Sequence, residues 1–91
     1  MIVIQVKVGE SLFKIKGPDG KNNLCGIKLA EIRQSRGLSQ RALAKQMQLS
    51  GYDVDHYFIR RVENGERFLT DIDLKIFCEV LQVSSTEILG F

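Results

Sequence analysis

Residues that start and stop helices recur at short intervals from about residue 27 to the end of the chain. Gly37 and the pair Asn64-Gly65 are typical helix terminators. A side chain that can cap a helix N-terminus precedes each of the last four apolar stretches. These capping candidates are Ser39, Asp53 or Asp55, Thr70, and Ser84 or Ser85. The pattern predicts an all-α fold of five short helices, each of which must bury one apolar stripe against the others.

The apolar residues between these signals have helical spacing. In the second helix, the inner side should be formed by Leu43, Ala44 and Met47. The third is predicted over about residues 54–64. The other expected inward positions are Ile27, Leu29 or Ala30, and Ile32 in the first helix; Phe58 or Ile59 with Val62 in the third; Ile72, Ile76, Phe77, Val80 and Leu81 in the fourth; and Ile88 and Leu89 in the fifth.

The first part of the chain has a different pattern. Residues 2–8 are rich in β-branched side chains and residues 12–16 alternate, which predicts a β-hairpin around Gly9-Glu10-Ser11. The segment 17–23, GPDGKNN, has turn chemistry and reads as a linker. Since 91 residues suffice for one small domain, we expect a hairpin extension and linker over 1–22, followed by a helical domain over 23–91.

The charge is distributed unevenly along the chain, although the net charge is only +2. Residues 27–48 carry five basic side chains and one acidic one, whereas residues 71–91 carry one basic and four acidic ones. This polarity suits a domain that presents one basic face to an anionic partner. The two cysteines lack metal-ligand spacing, and no signal peptide or membrane span is recognisable. We therefore expect a cytoplasmic protein with no metal and no cofactor.

Three motifs follow one another in the helical part: R-x-x-x-G-L-S-Q-x-x-L-A from Arg33, I-x-R-V-E-N-G from Ile59, and L-x-V-S-x-x-x-I-L from Leu81. Their order over about residues 27–90 resembles the Cro/phage-repressor (XRE-like) helix-turn-helix regulators. The resemblance implies a lambda-repressor-like DNA-binding domain of five helices. It also implies a transcriptional regulator, usually a dimeric repressor, that acts in the cytoplasm at the nucleoid of a bacterium or phage and reads double-stranded operator DNA with its third helix.

The resemblance also implies roles for single residues. DNA base contacts would come from Gln40, His56, Tyr57 and Arg61, and phosphate contacts from Ser39, Arg41, Lys45, Arg60, Asn64 and Arg67. Arg33 and Glu63 correspond to a structural salt bridge between the first and third helices. The chain departs from the family pattern because eight residues, Gly51 to Phe58, separate Ser50 from Ile59. These extra residues must lengthen the turn, extend the third helix, or both.

Each functional assignment has a simpler structural alternative. Arg41 and Lys45 could form a solvated stripe, and His56 could be an ordinary surface histidine. Asp53 and Asp55 would repel phosphate if they faced DNA, which favours a capping role. One of Tyr57 and Phe58 should belong to the core.

Two other function classes compete with DNA binding. A lone histidine near carboxylates could suggest an acid–base site, but no second histidine or activated nucleophile accompanies it, so we do not expect an enzyme. The stronger alternative is an antitoxin or accessory module that binds a partner protein. The surface for homodimer formation could be Ile88, Leu89 and Phe91, or the hairpin edge.

Overall fold

A computed structural model describes residues 16–17 and 19–91, and the predicted β-hairpin lies outside them. The described part contains five helices and no strand, which confirms the predicted all-α class and helix count for that part. The helices are α1 Gly26–Ser35, α2 Gln40–Leu49, α3 His56–Glu63, α4 Asp71–Leu81 and α5 Ser85–Leu89. α3 packs against both α1 and α2, and α5 packs against α1 and α4.

Side-chain caps fix the starts of four helices. They are Ser39 for α2, Asp55 for α3, Thr70 for α4 and Ser84 for α5. Each such cap satisfies an otherwise unpaired backbone N–H and stabilises a helix by about 1 kcal/mol. The sequence left Asp53 or Asp55, and Ser84 or Ser85, as alternatives. α1 has no capping side chain at its N-cap residue, but the Asn23 Oδ1 atom accepts hydrogen bonds from the N–H groups of Cys25 and Gly26 at 3.1 and 2.8 Å.

The core lies between the inner faces of the helices. Its fully or nearly buried members are Cys25, Leu29, Leu43, Ala44, Met47, Ile59, Val62, Phe77, Leu81 and Ile88. These residues include the predicted inner side of α2 and the Ile59–Val62 pair of α3. Phe58 and not Tyr57 packs against this core.

Two predicted core positions are wrong, because Ile27 is 69% exposed and Ile72 is 63% exposed. In α1 the buried line is Gly26, Leu29 and Arg33. Gly26 takes the inward position because a Cβ atom there would lie 2.4 Å from the Val62 carbonyl oxygen of α3. Ile27, one residue further, is therefore turned about 100° away from α3.

In α4 the inward position of the first turn belongs to Asp73, which is only 2% exposed. Its side chain accepts from the Thr70 N–H at 3.1 Å, and the Thr70 hydroxyl accepts from the Asp73 N–H at 3.0 Å. This reciprocal capping box fixes the rotation of the helix start. Ile72 consequently points outward.

The end of the predicted linker is hydrogen-bonded to the turn that follows α3. The Asn22 N–H donates to the Gly65 carbonyl at 2.8 Å, and the Asn22 side chain donates to the Glu66 carbonyl at the same distance. The Asn23 side chain donates to the Arg67 carbonyl at 2.8 Å. These two asparagines therefore hold the chain against the end of α3.

Candidate DNA interface

The turn between α2 and α3 takes up the extra residues of the sequence. Residues 50–55 form this turn, and α3 begins after them instead of within them. Gly51 reverses the chain with a φ of +88°, and the Gln48 side chain donates to the Val54 carbonyl at 2.6 Å. The insertion thus lengthens the turn and does not extend α3, which is shorter than the predicted range of about 54–64.

α3 has one buried face and one exposed face. Ile59 and Val62 are completely buried against the core. Because successive helical residues are rotated by about 100°, Tyr57, Arg60 and Arg61 lie on the opposite side. Both arginines are exposed, and Tyr57 is 56% exposed. The exposed face therefore combines an aromatic ring and two guanidinium groups, which can stack and donate hydrogen bonds.

The Glu63 carboxylate joins the first three helices. Arg33 of α1 donates to it through Nε at 2.6 Å and through Nη2 at 3.0 Å. The Gln40 side chain of α2 donates to Glu63 Oε1 at 3.0 Å. The charged pair is largely shielded from water, with side-chain exposures of 10% for Arg33 and 7% for Glu63. A bidentate, shielded pair of this kind fixes the relative positions of α1, α2 and α3.

Gln40 is therefore anchored at the start of α2. The second Gln40 amide N–H and its carbonyl oxygen have no hydrogen-bond partner among the described residues. A glutamine whose orientation is fixed in this way still has a free donor and a free acceptor to present to a ligand.

Basic side chains of α2 lie beside the start of α3. Arg41 and Lys45 are exposed and one turn apart, and they line the same groove as His56. The His56 ring is half-buried, with its centroid 4.1 Å from that of Tyr57. The structure thus brings together two predicted phosphate-contact residues and one predicted base-contact residue.

A second, larger cavity of about 720 Å³ lies between the lengthened turn and α3. Tyr57, Arg61 and Arg67 contribute to its wall, as does the exposed carboxylate of Asp53. Asp53 has no hydrogen bond or ion pair with any described residue. The cavity is also lined by Gln48, Tyr52, Val54, Asp55 and Phe58.

Arg67 is engaged partly within the domain. Its guanidinium carbon lies 4.7 Å from the centre of the Phe58 ring, and its Nη2 atom lies 3.9 Å from Asp73 Oδ2. The Nε atom is buried and has no partner among the described residues. The side chain is 37% exposed, so only part of this cation faces the surface.

Two predicted phosphate-contact residues lie away from these grooves. The Ser39 hydroxyl oxygen accepts from the Ala42 N–H at 3.0 Å and so caps α2. Asn64 is exposed at the C-terminal end of α3 and lines a different pocket, together with Lys21 and Ile27. The predicted site residues therefore fall into a central group around the start of α3 and peripheral positions at the helix ends.

The contact between Tyr52 and Asp73 was not predicted from the sequence. The Tyr52 hydroxyl donates a hydrogen bond to Asp73 Oδ1. The Tyr52 ring also meets the edge of Phe58 at 6.1 Å, and Phe58 stacks on Phe77 at 5.9 Å. The only sequence signal was an aromatic residue within a turn otherwise rich in small and polar side chains.

This contact perturbs both titratable groups. The hydrogen bond to Asp73 raises the pKa of Tyr52, and burial adds to the shift. Burial alone would raise the pKa of Asp73, but the hydrogen bonds from Tyr52 and Thr70 together hold it below its usual value. The Asp73 carboxylate is therefore stabilised in its charged form inside the domain.

Within 16–17 and 19–91, no three His, Cys, Asp or Glu side chains are grouped so that they could hold a metal ion. In that part of the chain, no helix has the length and apolarity needed to cross a bilayer.

A family model described as a helix-turn-helix domain matches residues 25–89. The chain belongs to this helix-turn-helix family. No curated protein and no solved structure matches it. A helix-turn-helix domain over this range supports a DNA-binding regulator.

Proposed function

We propose that this helix-turn-helix protein is a sequence-specific, double-stranded DNA-binding transcriptional repressor of the Cro/phage-repressor type. α3 would enter the major groove, whose width admits one helix. The observation that carries the proposal is the division of α3 into a buried face and an exposed face bearing Tyr57, Arg60 and Arg61. The basic side chains of α2 extend the same charged surface.

Base recognition would come from the start and middle of α3 and from Gln40. Arg61 can donate two hydrogen bonds to guanine, while Tyr57 and His56 would contact neighbouring base edges. Gln40 supports this role because Glu63 holds one of its N–H groups and leaves the other N–H and the carbonyl oxygen free. The free amide groups match the donor and acceptor of adenine.

Phosphate contacts would position the domain without reading sequence. Arg41, Lys45 and Arg60 are exposed and suit this role. Ser39, Asn64 and Arg67 would contribute at the edge of the contact, since each also has a structural function or lies at a helix end.

The protein would bind as a homodimer to two half-sites about one helical turn apart. Within the C-terminal candidate surface, Ile88 is only 3% exposed and is occupied by the domain's own core. Phe91, at 81% exposed, and the half-buried Leu89 are the residues of that surface that a second copy could contact. We propose a binding role without catalysis, in the compartment that holds the DNA.

A protein-interaction module is the second candidate. Leu24 and Ile27 are 60% and 69% exposed and line one pocket, which gives a partner protein an apolar contact. Such a module would bind duplex DNA weakly or not at all.

Selection of bound sequences from random duplex DNA tests the proposal directly. We expect an enriched sequence with two related half-sites, and an affinity that falls steeply as salt rises. Arg61→Ala should reduce the preference for the selected duplex about fivefold or more. Lys45→Ala should instead weaken binding to all duplexes and reduce the dependence of affinity on salt.

Lys75→Ala is the matched control, because Lys75 is an exposed lysine on α4 that is assigned no DNA contact. It should leave DNA affinity and sequence preference close to the wild-type values. Absence of any enriched sequence, together with no duplex binding at low salt, would favour the protein-interaction module.

A further inference from the structure

We propose that Tyr52 is a positioning residue, which aligns the first turn of α3 for base recognition by fastening the lengthened turn to the capping box of α4. This role rests on the proposed reading of DNA by α3. Tyr52 would not contact DNA in this arrangement. It would act through Phe58, which follows the predicted base-contact residue Tyr57.

The turn has few other attachments outside its own two helices. Gln48 holds the Val54 carbonyl and Asp55 caps α3, but both contacts stay within α2, the turn and α3. Within the described part of the chain, the Tyr52 hydroxyl makes the only hydrogen bond that joins a side chain of residues 50–55 to a helix other than α2 and α3, and its acceptor is Asp73 of α4. A turn of six residues without that contact would have many accessible conformations.

Asp73 is a rigid acceptor for this bond. It is 2% exposed. In the capping box its side chain accepts a hydrogen bond from the Thr70 N–H, and its own N–H donates to the Thr70 hydroxyl. Its second oxygen lies 3.9 Å from Arg67 Nη2. Because every oxygen of Asp73 has a partner within the domain, the carboxylate gives Tyr52 a fixed anchor point.

The anchor reaches α3 through aromatic packing. The Tyr52 ring contacts the Phe58 ring edge-on at 6.1 Å, while Arg67 lies 4.7 Å from the centre of the Phe58 ring and Phe77 stacks on it at 5.9 Å. Phe58 is thus enclosed by three side chains that belong to the turn, the α3–α4 connection and α4. Since Tyr57 precedes Phe58 on a helix, a fixed Phe58 ring fixes the direction in which Tyr57 points.

The shape of the surface fits this role. Tyr52 lines the same cavity of about 720 Å³ as Tyr57 and Arg61. A shift of the turn would therefore change the wall of the cavity in which these two predicted base-contact residues lie. The exposed cations of α2 lie in the other groove and would keep their positions. We infer that loss of the anchor would reduce sequence preference more than general DNA affinity.

The test compares Tyr52→Phe with the wild-type full chain. The probes are the duplex that wild-type protein selects from random DNA and a shuffled duplex of the same base composition. Affinities are measured at 10 °C and one salt concentration, where circular dichroism shows each variant to be folded. We expect Tyr52→Phe to lower the ratio of the two affinities about fivefold or more, the lower end of the cost of one bidentate base contact. Affinity for the shuffled duplex should stay within about twofold of the wild-type value.

A purely structural role for Tyr52 makes a different prediction. Val80→Ala is the matched control, because Val80 is a half-buried α4 residue that packs on the core and lies about two helical turns beyond Asp73. Both variants should lower stability, but only Tyr52→Phe should change the affinity ratio. Amide hydrogen exchange adds a second readout: Tyr52→Phe should speed exchange of the Phe58 N–H, which Asp55 holds at 3.0 Å, and Val80→Ala should not.

The outcomes separate this inference from the proposed function. If the wild-type protein selects no sequence, the proposed function fails and the positioning role fails with it. If wild type selects a sequence and folded Tyr52→Phe keeps the wild-type ratio, the positioning role is wrong and the proposed function stands. Should Tyr52→Phe not fold, Asp73→Asn removes the charged acceptor from the α4 side, and an unchanged ratio in that variant would overturn the inference.

Discussion

Replacement of Glu63 by glutamine tests how strongly the shared carboxylate stabilises the domain. Glutamine has nearly the same shape, but it removes the negative charge opposite Arg33, whose side chain is only 10% exposed. Loss of one partner of a shielded pair leaves the other charge without compensation, which costs about 3–5 kcal/mol. Domains of this size have a total stability of about 5–15 kcal/mol. We therefore expect Glu63→Gln to lose a large fraction of the free energy of unfolding.

Urea unfolding followed by circular dichroism measures this loss. Glu79→Gln is the matched control, because Glu79 is 56% exposed and forms an i,i+4 pair with Lys75. Surface pairs of that kind contribute about 0.3–0.5 kcal/mol. A double variant, Arg33→Met with Glu63→Leu, should be more stable than Glu63→Gln, because it leaves no unpaired charge behind.

Two results would refute this reasoning. The first is that Glu63→Gln lowers the free energy of unfolding no more than Glu79→Gln does. The second is a double variant that is less stable than Glu63→Gln, which would mean that the hydrogen bonds of the carboxylate, including the one from Gln40, matter more than charge compensation.

Three further predictions concern the turn, the capping box and helix packing. Asp53→Asn should raise affinity for shuffled duplex DNA a few-fold in a filter-binding assay, because it removes an exposed negative charge from the cavity beside α3; Glu79→Gln should not. The lowered pKa of Asp73 stabilises the folded state above the ordinary aspartate pKa of about 3.9, and this contribution is lost as the pH falls through the lower, folded-state pKa. Urea unfolding of Asp73→Asn should therefore depend less on pH than that of wild type in this acidic window. Gly26→Ala should lower the thermal midpoint strongly, because its Cβ atom would lie 2.4 Å from the Val62 carbonyl oxygen; a wild-type midpoint would show that α1 can move away at little cost.

Local chemistry made much of the helical fold predictable. The caps at Ser39 and Thr70 satisfy backbone groups only three residues away, so a reader of the sequence can recognise them without tertiary information. The buried pair Ile59 and Val62 follows in the same way from helical spacing. Features whose causes lie within one helix turn could therefore be read from the sequence.

Features that depend on contacts between distant segments could not be predicted so well. Helical spacing predicted inward positions for Ile27 and Ile72, but both side chains are exposed. The close approach of Gly26 to α3 turns Ile27 outward. The buried capping carboxylate of Asp73 turns Ile72 outward. The Tyr52–Asp73 hydrogen bond joins residues 21 positions apart. Nothing in the sequence near Tyr52 identifies its acceptor. The exposed and buried faces of α3 were therefore predictable from helical spacing, whereas the support of the turn was not.

The position of Glu63 also bears on how the domain unfolds. One carboxylate accepts hydrogen bonds from α1 and from α2 while it belongs to α3. None of the three helices can open alone without leaving a charged or polar group of its neighbours unpaired. Their slowest-exchanging amides should consequently report one shared opening free energy, as expected for a single cooperative unit. α5, which has five residues and no part in this network, is free to fray independently.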